Sequence, residues 1–252
     1  MEIRQRSLVQ RLDLYFWPYT ANNYIKYTIY FTPKCWLFFR FLGAAFCIMT
    51  FALSIVETPT FDFLVILADW GCVITSLYFS MTLYNYKYSN CWKITHFLYE
   101  LSWCIDWTVV LLFWGIIYPT QTWGQSIQVT VLANGGVFIF ILIDSINNQI
   151  WFFRKHVYLI VIIGFLYTLL HLIYTLAVRK VYDIVNYKNA YTYLIILGTY
   201  LMLIIIFILG AFLDKFKSKF GSSDLIPATS SFASSIADDR REISLMNQKN
   251  KR

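Results

Sequence analysis

The chain has 252 residues, of which 58% are hydrophobic, 20% are aromatic and only 14% are charged. Soluble domains usually carry about 25% charged and about 45–50% apolar residues, and a soluble fold of this length has no interior large enough for the excess. Composition therefore excludes a soluble enzyme, a disordered chain and a collagen-like fibre, and it predicts a membrane protein, because a bilayer accommodates the additional apolar surface.

The formal net charge of +7 is unevenly distributed along the chain. Of the 21 Lys and Arg residues, five precede Cys35 and eight follow Leu213. Basic ends on either side of an apolar middle are typical of membrane orientation signals and of contact with anionic lipid headgroups. Membrane lipids are therefore the expected partners, and no nucleic acid is expected.

Six apolar segments follow one another, each close to the ~20 residues that a helix needs to cross a bilayer. They are Cys35–Val56, Phe63–Leu83, Ile94–Tyr118, Ser126–Ile146, Val157–Val178 and Tyr191–Leu213. Helices are favoured over a β-barrel because the segments are long and continuously apolar rather than alternating. The predicted fold is an all-α, polytopic membrane helix bundle with six transmembrane helices between residues 35 and 213.

Two further regions flank this bundle. Residues 1–34 are rich in aromatic side chains, which predicts an interfacial segment, and residues 214–252 are polar, Ser-rich and basic, which predicts a disordered tail. An even number of spans puts both termini on one side of the membrane. That side then holds 17 of the Lys and Arg residues, and the opposite side holds only Arg179, Lys180 and Lys188. The positive-inside rule predicts cytosolic termini, in the plasma membrane or an endomembrane.

Polar side chains inside the apolar segments are the candidates for function, because ionisable groups are costly to bury in a membrane. The candidate binding residues are Arg40, Asp69, Trp70, Glu100, Asn134 and Asp144. An ion pair of Arg40 with Glu100 or Asp144 would satisfy the guanidinium within the bundle. Asp69 and His171 form an acid–base pair if their helices meet. For the buried charges, adhesion between helices is the alternative to a chemical role.

Common catalytic motifs are absent from the sequence, which contains no GxSxG, HExxH, Walker A or GxGxxG pattern. The five cysteines form no CxxC pair and fall mostly in apolar segments, as small core residues do. His96 shares a helix face with Glu100, but three histidines are too few for a histidine-rich metal oxidase, and His156 lies in a connection. Neither a cofactor nor a metal is expected.

Two segments carry short motifs that point to a family. The second contains LADWG at residues 67–71, followed by LYF at 77–79, and the fourth contains Asn134-Gly135-Gly136 before an apolar run that ends at Asp144. The first pair of motifs resembles the LTNWG…LYF signature of the rolling-stone / androgen-induced protein family of six-span membrane proteins. The fourth segment is similar to that family's helix with a His and an Asn. Gly135 and Gly136 permit a close helix approach or a local kink.

The resemblance implies a function. Androgen-induced members of the family are hydrolases that use a membrane-embedded threonine and a histidine to cleave fatty acid esters of hydroxy fatty acids. Here the threonine position reads Ala68 and the histidine position reads Asn134. Alanine has no nucleophilic oxygen and an amide is not a useful base at neutral pH, so the pair is lost. Replacement nucleophiles would be Thr75 or Thr32, with His171 or His96 as the base.

Three functions follow from these observations. The favoured one is a non-catalytic membrane protein that binds lipid, such as a fatty acyl ester, or a partner membrane protein. The second is an intramembrane hydrolase of lipid esters with a displaced Thr/His pair. The third is a small transporter or channel that uses the intramembrane acids, although the chain has no internal repeat of the kind that builds inverted-repeat transporters.

Overall fold

The computed structural model describes residues 32–57, 61–88, 90–120, 127–148, 150–178, 180–182, 185 and 187–220, with the backbone alone at 61, 120, 127, 128 and 215–220. The interfacial segment predicted for residues 1–34 therefore lies outside the described residues except for its last three. The predicted tail lies outside them beyond residue 220. The compact part of the chain that contains the bundle ends at Asp214.

Helix is the regular structure throughout the described ranges. The α-helices are α1 (Pro33–Glu57), α2 (Leu67–Tyr88), α3 (Trp92–Leu112), α4 (Tyr118–Thr120), α5 (Ile127–Val131), α6 (Val137–Asn147), α7 (His156–Ala177) and α8 (Ala190–Phe220). A 3₁₀ turn, Phe61–Leu64, precedes α2. A π-helical turn, Phe113–Ile117, joins α3 to α4, and a second one, Leu132–Gly136, joins α5 to α6. The described residues thus form six long helices, two of which contain a π turn.

The predicted all-α membrane bundle is confirmed. Five of the long helices are long and apolar enough to cross a membrane: Pro33–Glu57, Trp92–Ile117, Val129–Asn147, His156–Ala177 and Ala190–Asp214. The remaining one, α2, is less apolar because its buried face carries Asp69, Thr75, Thr82 and Asn85. Its segment was predicted from Phe63, whereas the α-helix begins at Leu67 because the 3₁₀ turn comes first.

Helices α1, α2, α3 and α6 form a closely packed group, in which α2 lies against α1 and α3, and α6 lies against α1 and α3. Helix α3 is the most enclosed, with buried residues along its whole length. In α7, by contrast, the buried residues are only His156, Ile160 and His171. Helix α8 is joined to α3 by the Trp103 indole, whose Nε1 donates a hydrogen bond to the Ile206 carbonyl at 3.3 Å. The group positions α7 and α8 through side chains rather than through close backbone contact.

Large apolar side chains cover the outside of the bundle. Phe38 and Phe41 of α1, Phe165 of α7 and Phe212 of α8 are each about 60% exposed. So many exposed aromatic and aliphatic groups are expected where the surrounding solvent is lipid rather than water. The outer faces therefore have the chemistry of a lipid boundary, while the polar groups are concentrated inside.

The two adjacent glycines in the fourth long helix act differently. A Cβ atom added to Gly136 would lie 2.6 Å from the Phe46 ring of α1, whereas one added to Gly135 would have no atom within 4 Å. Both glycines belong to the π turn Leu132–Gly136. The close helix approach and the local irregularity that the sequence allows are both present at this position.

Candidate functional site

A buried network joins α1, α2 and α6 around Asp144. The Arg40 Nε atom donates a hydrogen bond to Asp144 Oδ1 at 2.9 Å, and both side chains are enclosed. Asp144 Oδ2 accepts hydrogen bonds from the Tyr78 hydroxyl and from Asn148 Nδ2, the latter at 2.7 Å. Of the two acids considered for Arg40, Asp144 is therefore the one that pairs with it. A carboxylate that accepts hydrogen bonds from three donors on different parts of the chain holds helices together.

A second buried cluster surrounds Glu100 of α3. Glu100 Oε1 lies 3.3 Å from His96 Nε2, one turn earlier on the same helix, and accepts a hydrogen bond from the Phe153 backbone N–H at 2.6 Å. Glu100 Oε2 pairs with Nδ1 of His156, the first residue of α7. The sequence pattern predicts that His156 lies in a connection. Its burial was missed because the neighbouring Arg154 and Lys155 are exposed and no local pattern distinguishes the histidine.

The candidate nucleophile Thr75 lies in a third polar pair. Its hydroxyl donates a hydrogen bond to Asp106 Oδ2 of α3 at 2.8 Å, and both residues are buried. Neither residue lines the cavity described below. The other candidate, Thr32, is exposed, and its hydroxyl accepts a hydrogen bond from the Cys35 N–H at 3.4 Å, as a helix cap does. Among the described residues, neither threonine is hydrogen-bonded to a histidine, so the displaced pair is not assembled.

A cavity lies between α2, α3, α7 and α8 and encloses about 1210 Å³ of empty space, its open side included. Four of the positions singled out from the sequence line it: Ala68, Trp70, Asn134 and His171. Most of its wall is aliphatic and comes from α3, α7 and α8, with Leu101, Ile105, Ile160, Ile163, Ile196 and Leu203 among the contacts. Apolar walls with a few polar groups are the usual composition of a small-molecule site.

The π turns border this cavity. Ile116 and Ile117 from the first turn and Asn134 from the second are part of its wall. A π turn inserts one extra residue into a helix and redirects the side chains that follow, and such turns occur frequently at functional sites. The Asn134 amide folds back on its own helix, since its Nδ2 donates to the Thr130 carbonyl at 2.6 Å.

His171 is the centre of a polar group in the cavity wall. Its Nδ1 lies 2.8 Å from the Tyr187 hydroxyl, and the Tyr182 ring stacks on its imidazole with centroids 5.6 Å apart. The Tyr182 hydroxyl in turn accepts a hydrogen bond from the Leu67 N–H at 3.2 Å. His171 is 4% exposed, and its Nε2 has no hydrogen-bond partner among the described residues. One buried imidazole nitrogen is thus unsatisfied in an otherwise apolar space.

The two tyrosines beside His171 belong to the connection between α7 and α8. Burial raises the pKa of Tyr182 and of Tyr187 to about 12, so both remain neutral phenols near pH 7. Tyr187 has a φ angle of 46°, in the left-handed region that bulky residues rarely adopt. A backbone conformation of this kind persists where its surroundings fix it. The connection therefore holds the Tyr187 hydroxyl against His171 at a conformational cost.

The predicted acid–base pair of Asp69 and His171 is not formed. Asp69 is buried beside Ser54 of α1, and no ion pair joins it to His171. With 3.6 residues per turn, successive side chains point about 100° apart around a helix. Leu67, Ala68 and Trp70 face the cavity, so Asp69 is directed to the opposite side, towards α1.

Comparison with known proteins found no matching family model, no matching curated protein and no matching solved structure. The sequence-predicted residues separate by location. Ala68, Trp70, Asn134 and His171 meet at the cavity. The ionisable residues Arg40, Glu100 and Asp144 and the candidate nucleophile Thr75 lie in buried polar contacts outside it.

Proposed function

We propose that this chain is a non-catalytic membrane protein that binds an acyl-chain lipid in the cavity between α2, α3, α7 and α8. The observation that carries the proposal is that Ala68, Asn134 and His171, from three different helices, line one aliphatic cavity. An apolar wall favours a long hydrocarbon chain, because burying each CH₂ group contributes about 0.8 kcal/mol. The cavity is partly open, which allows a lipid to enter it.

Among the described residues, no serine or threonine that lines the cavity is hydrogen-bonded to a base, which supports binding rather than hydrolysis. A threonine hydroxyl needs a base within hydrogen-bond reach to become a nucleophile. In the cavity wall, the Thr168 hydroxyl is hydrogen-bonded to the Gly164 carbonyl and to the Tyr200 hydroxyl. The Thr199 hydroxyl donates a hydrogen bond to the Ile195 carbonyl. His171 bonds Tyr187, and no serine or threonine of the described chain is within hydrogen-bond reach of it.

The polar end of the ligand is inferred from His171. A neutral Tyr187 hydroxyl that donates to Nδ1 leaves the proton of the neutral imidazole on Nε2, which then becomes a donor. A buried donor without an acceptor costs about 1–3 kcal/mol, and a ligand oxygen removes that cost. The ligand class is therefore a fatty acid or a fatty acyl ester, with its carboxylate or carbonyl oxygen at His171.

Membership of the rolling-stone / androgen-induced family, as a member without the hydrolytic pair, is part of the proposal. It is supported by the two family positions, Ala68 and Asn134, which belong to different helices and border the same cavity. Cytosolic termini are also proposed, from the asymmetry of Lys and Arg along the sequence. On this orientation His171 lies in the half of the membrane away from the cytosol.

The proposal is tested by photo-crosslinking the purified full chain with palmitic acid that carries a diazirine. Ala68→Phe fills the cavity and is expected to reduce labelling at least about tenfold, which corresponds to 1.4 kcal/mol of binding free energy. The matched control is Ala45→Phe, the same substitution on an exposed face of α1, which should leave labelling unchanged. Equal labelling of both variants and the wild type would exclude the cavity as the binding site.

A second variant tests the polar end. His171→Phe keeps an aromatic ring at this position and removes both imidazole nitrogens, so labelling by the palmitic acid probe should fall by roughly tenfold. Labelling by a diazirine alkane of the same length, which has no oxygen, should change little. The hydrolase would instead be supported if a fluorophosphonate probe labels the wild type and Thr75→Ala abolishes the labelling.

A further inference from the structure

The cluster of His96, Glu100 and His156 lies apart from the cavity, and none of its members lines that space. All three residues are buried, with Glu100 and His156 at 0% exposure and His96 at 5%. One ligand atom from each, taken from the imidazole nitrogens and the carboxylate oxygens, lies within 4.8 Å of the other two. Helix adhesion needs only one hydrogen-bonded pair, so the convergence of two imidazoles on one carboxylate requires a further explanation.

Two histidines and one glutamate are a donor set that binds divalent transition metals. Zinc is bound by His nitrogen at about 2.0–2.1 Å and by carboxylate oxygen at about 2.0–2.2 Å in a tetrahedral arrangement, and catalytic sites use three protein ligands. Ligand atoms of such a tetrahedron are separated by roughly 3.3–3.4 Å, which follows from those bond lengths. The His96 Nε2–Glu100 Oε1 distance is 3.3 Å. This edge of the site already has the required length.

We propose that His96, Glu100 and His156 form a binding site for a divalent transition-metal ion, with Zn²⁺ as the best fit, and that the ion fastens α7 to α3. His96 and Glu100 supply ligands from one face of α3, and His156 supplies the third from the first residue of α7. His156 Nδ1 and Glu100 Oε2 contact each other directly. An ion entering between them replaces that hydrogen bond with two coordination bonds.

The surroundings of the cluster hold the ligands in position. The His96 ring stacks on the Phe153 ring with centroids 4.4 Å apart and an angle of 6° between the planes. The Phe153 N–H fixes Glu100 Oε1 at 2.6 Å. Partners of this kind, which orient the ligands without touching the metal, typically change metal affinity by 10–100-fold when they are removed.

The inference is tested by metal content. The full chain, purified in detergent and treated with a chelator, is dialysed to equilibrium against ZnCl₂, and bound zinc is measured by mass spectrometry. We expect about one ion per chain, and at least about a tenfold loss of affinity in Glu100→Gln and in His156→Asn. The matched control is His171→Phe, which alters the third and last histidine of the chain and should bind zinc like the wild type.

Two measurements keep the test independent of folding and of the proposed function. Glu100→Gln and His156→Asn must still elute as single species and be labelled by the palmitic acid probe, because the cluster is outside the lipid cavity. Zn²⁺ should raise the thermal midpoint of the wild type and of His171→Phe but not that of Glu100→Gln. Equal zinc content in the wild type and Glu100→Gln, or a wild type that binds less than about a tenth of an ion per chain, would overturn the metal site and leave the lipid site untouched.

Discussion

Buried ionisable side chains connect the helices of this bundle. Arg40 of α1 pairs with Asp144 of α6, and Glu100 of α3 pairs with His156 of α7. Removing one member of such a pair leaves an uncompensated buried charge and typically costs about 3–5 kcal/mol, whereas replacing both members by apolar groups is often neutral. In a double-mutant cycle, the double variant of such a pair is therefore expected to be more stable than the worse single variant.

We expect Asp144→Leu to lower the free energy of unfolding by about 3–5 kcal/mol, because Arg40 then has no carboxylate. The double variant Arg40→Met/Asp144→Leu should recover at least half of that loss. Recovery is incomplete because the Tyr78 hydroxyl and the Asn148 amide still lose their acceptor. Unfolding in detergent, followed by tryptophan fluorescence, measures all three proteins. A double variant no more stable than Asp144→Leu would contradict the pairing as the source of the loss.

At the scale of single residues, the sequence predicts which side chains matter better than which ones meet. Arg40 was expected to pair with Glu100 or Asp144, and the choice depends on how α1 packs against α6, which no local pattern encodes. His156 looked like part of a basic connection beside Arg154 and Lys155. Four residues earlier, the Phe152 N–H donates a hydrogen bond to Asp214 of α8 at 2.5 Å, a contact between distant parts of the chain that no local pattern encodes.

At the scale of the helix, two glycines of α8 have opposite environments. A Cβ atom added to Gly210 would lie 2.5 Å from the Phe152 ring, and one added to Gly198 would have no atom within 4 Å. The Phe152 ring is fixed from its other sides, with centroids 5.4 Å from that of Tyr99 and 5.3 Å from that of Phe207. It has no room to move away.

Gly210→Ala is therefore expected to lower the free energy of unfolding by about 1–3 kcal/mol through overpacking. The same change at Gly198 should be neutral or stabilising by up to about 1 kcal/mol, since alanine favours helix over glycine. Thermal unfolding of both variants in one detergent gives the comparison. Similar thermal midpoints for the two variants would show that Gly210 is not closely packed against the Phe152 ring.

The positions of the long helices follow from the sequence because apolar length is a local property. The π turns do not. Residues 132–136 contain a glycine pair that allows an irregular turn, but residues 113–117 carry no comparable signal beyond Gly115. Since both turns border the cavity, its outline depends on features that the apolar pattern cannot reveal. Ala68 and Asn134, which the short sequence motifs single out, both line the cavity.

At the scale of the whole molecule, orientation in the membrane is the property with the clearest test. Arg154, between α6 and α7, and Lys188, between α7 and α8, are both exposed. They lie in successive connections, so the proposed topology puts them on opposite sides of the membrane. Cys35 is exposed and Cys91 partly so, and replacing both with serine removes the accessible native thiols.

In sealed, cytosol-side-out microsomes, a membrane-impermeable maleimide should label Arg154→Cys and should reach Lys188→Cys only after the vesicles are permeabilised. The reason is the distribution of Lys and Arg, which favours cytosolic termini. The opposite labelling pattern would invert the topology. It would also move His171, and with it the polar end of the lipid cavity, to the cytosolic half of the membrane.

The Arg40–Asp144 pair has a consequence for biosynthesis, because its two members are 104 residues apart. Ribosomes add about 5–20 residues per second, so roughly 5–20 s separate the synthesis of the two side chains. An arginine at the centre of a nascent transmembrane helix raises the insertion free energy by about 2.5–3.5 kcal/mol, and Arg40, the eighth of the 25 residues of α1, bears part of that cost. We expect α1 to remain beside the insertion machinery until α6 emerges, so that a helix made early is released into lipid late.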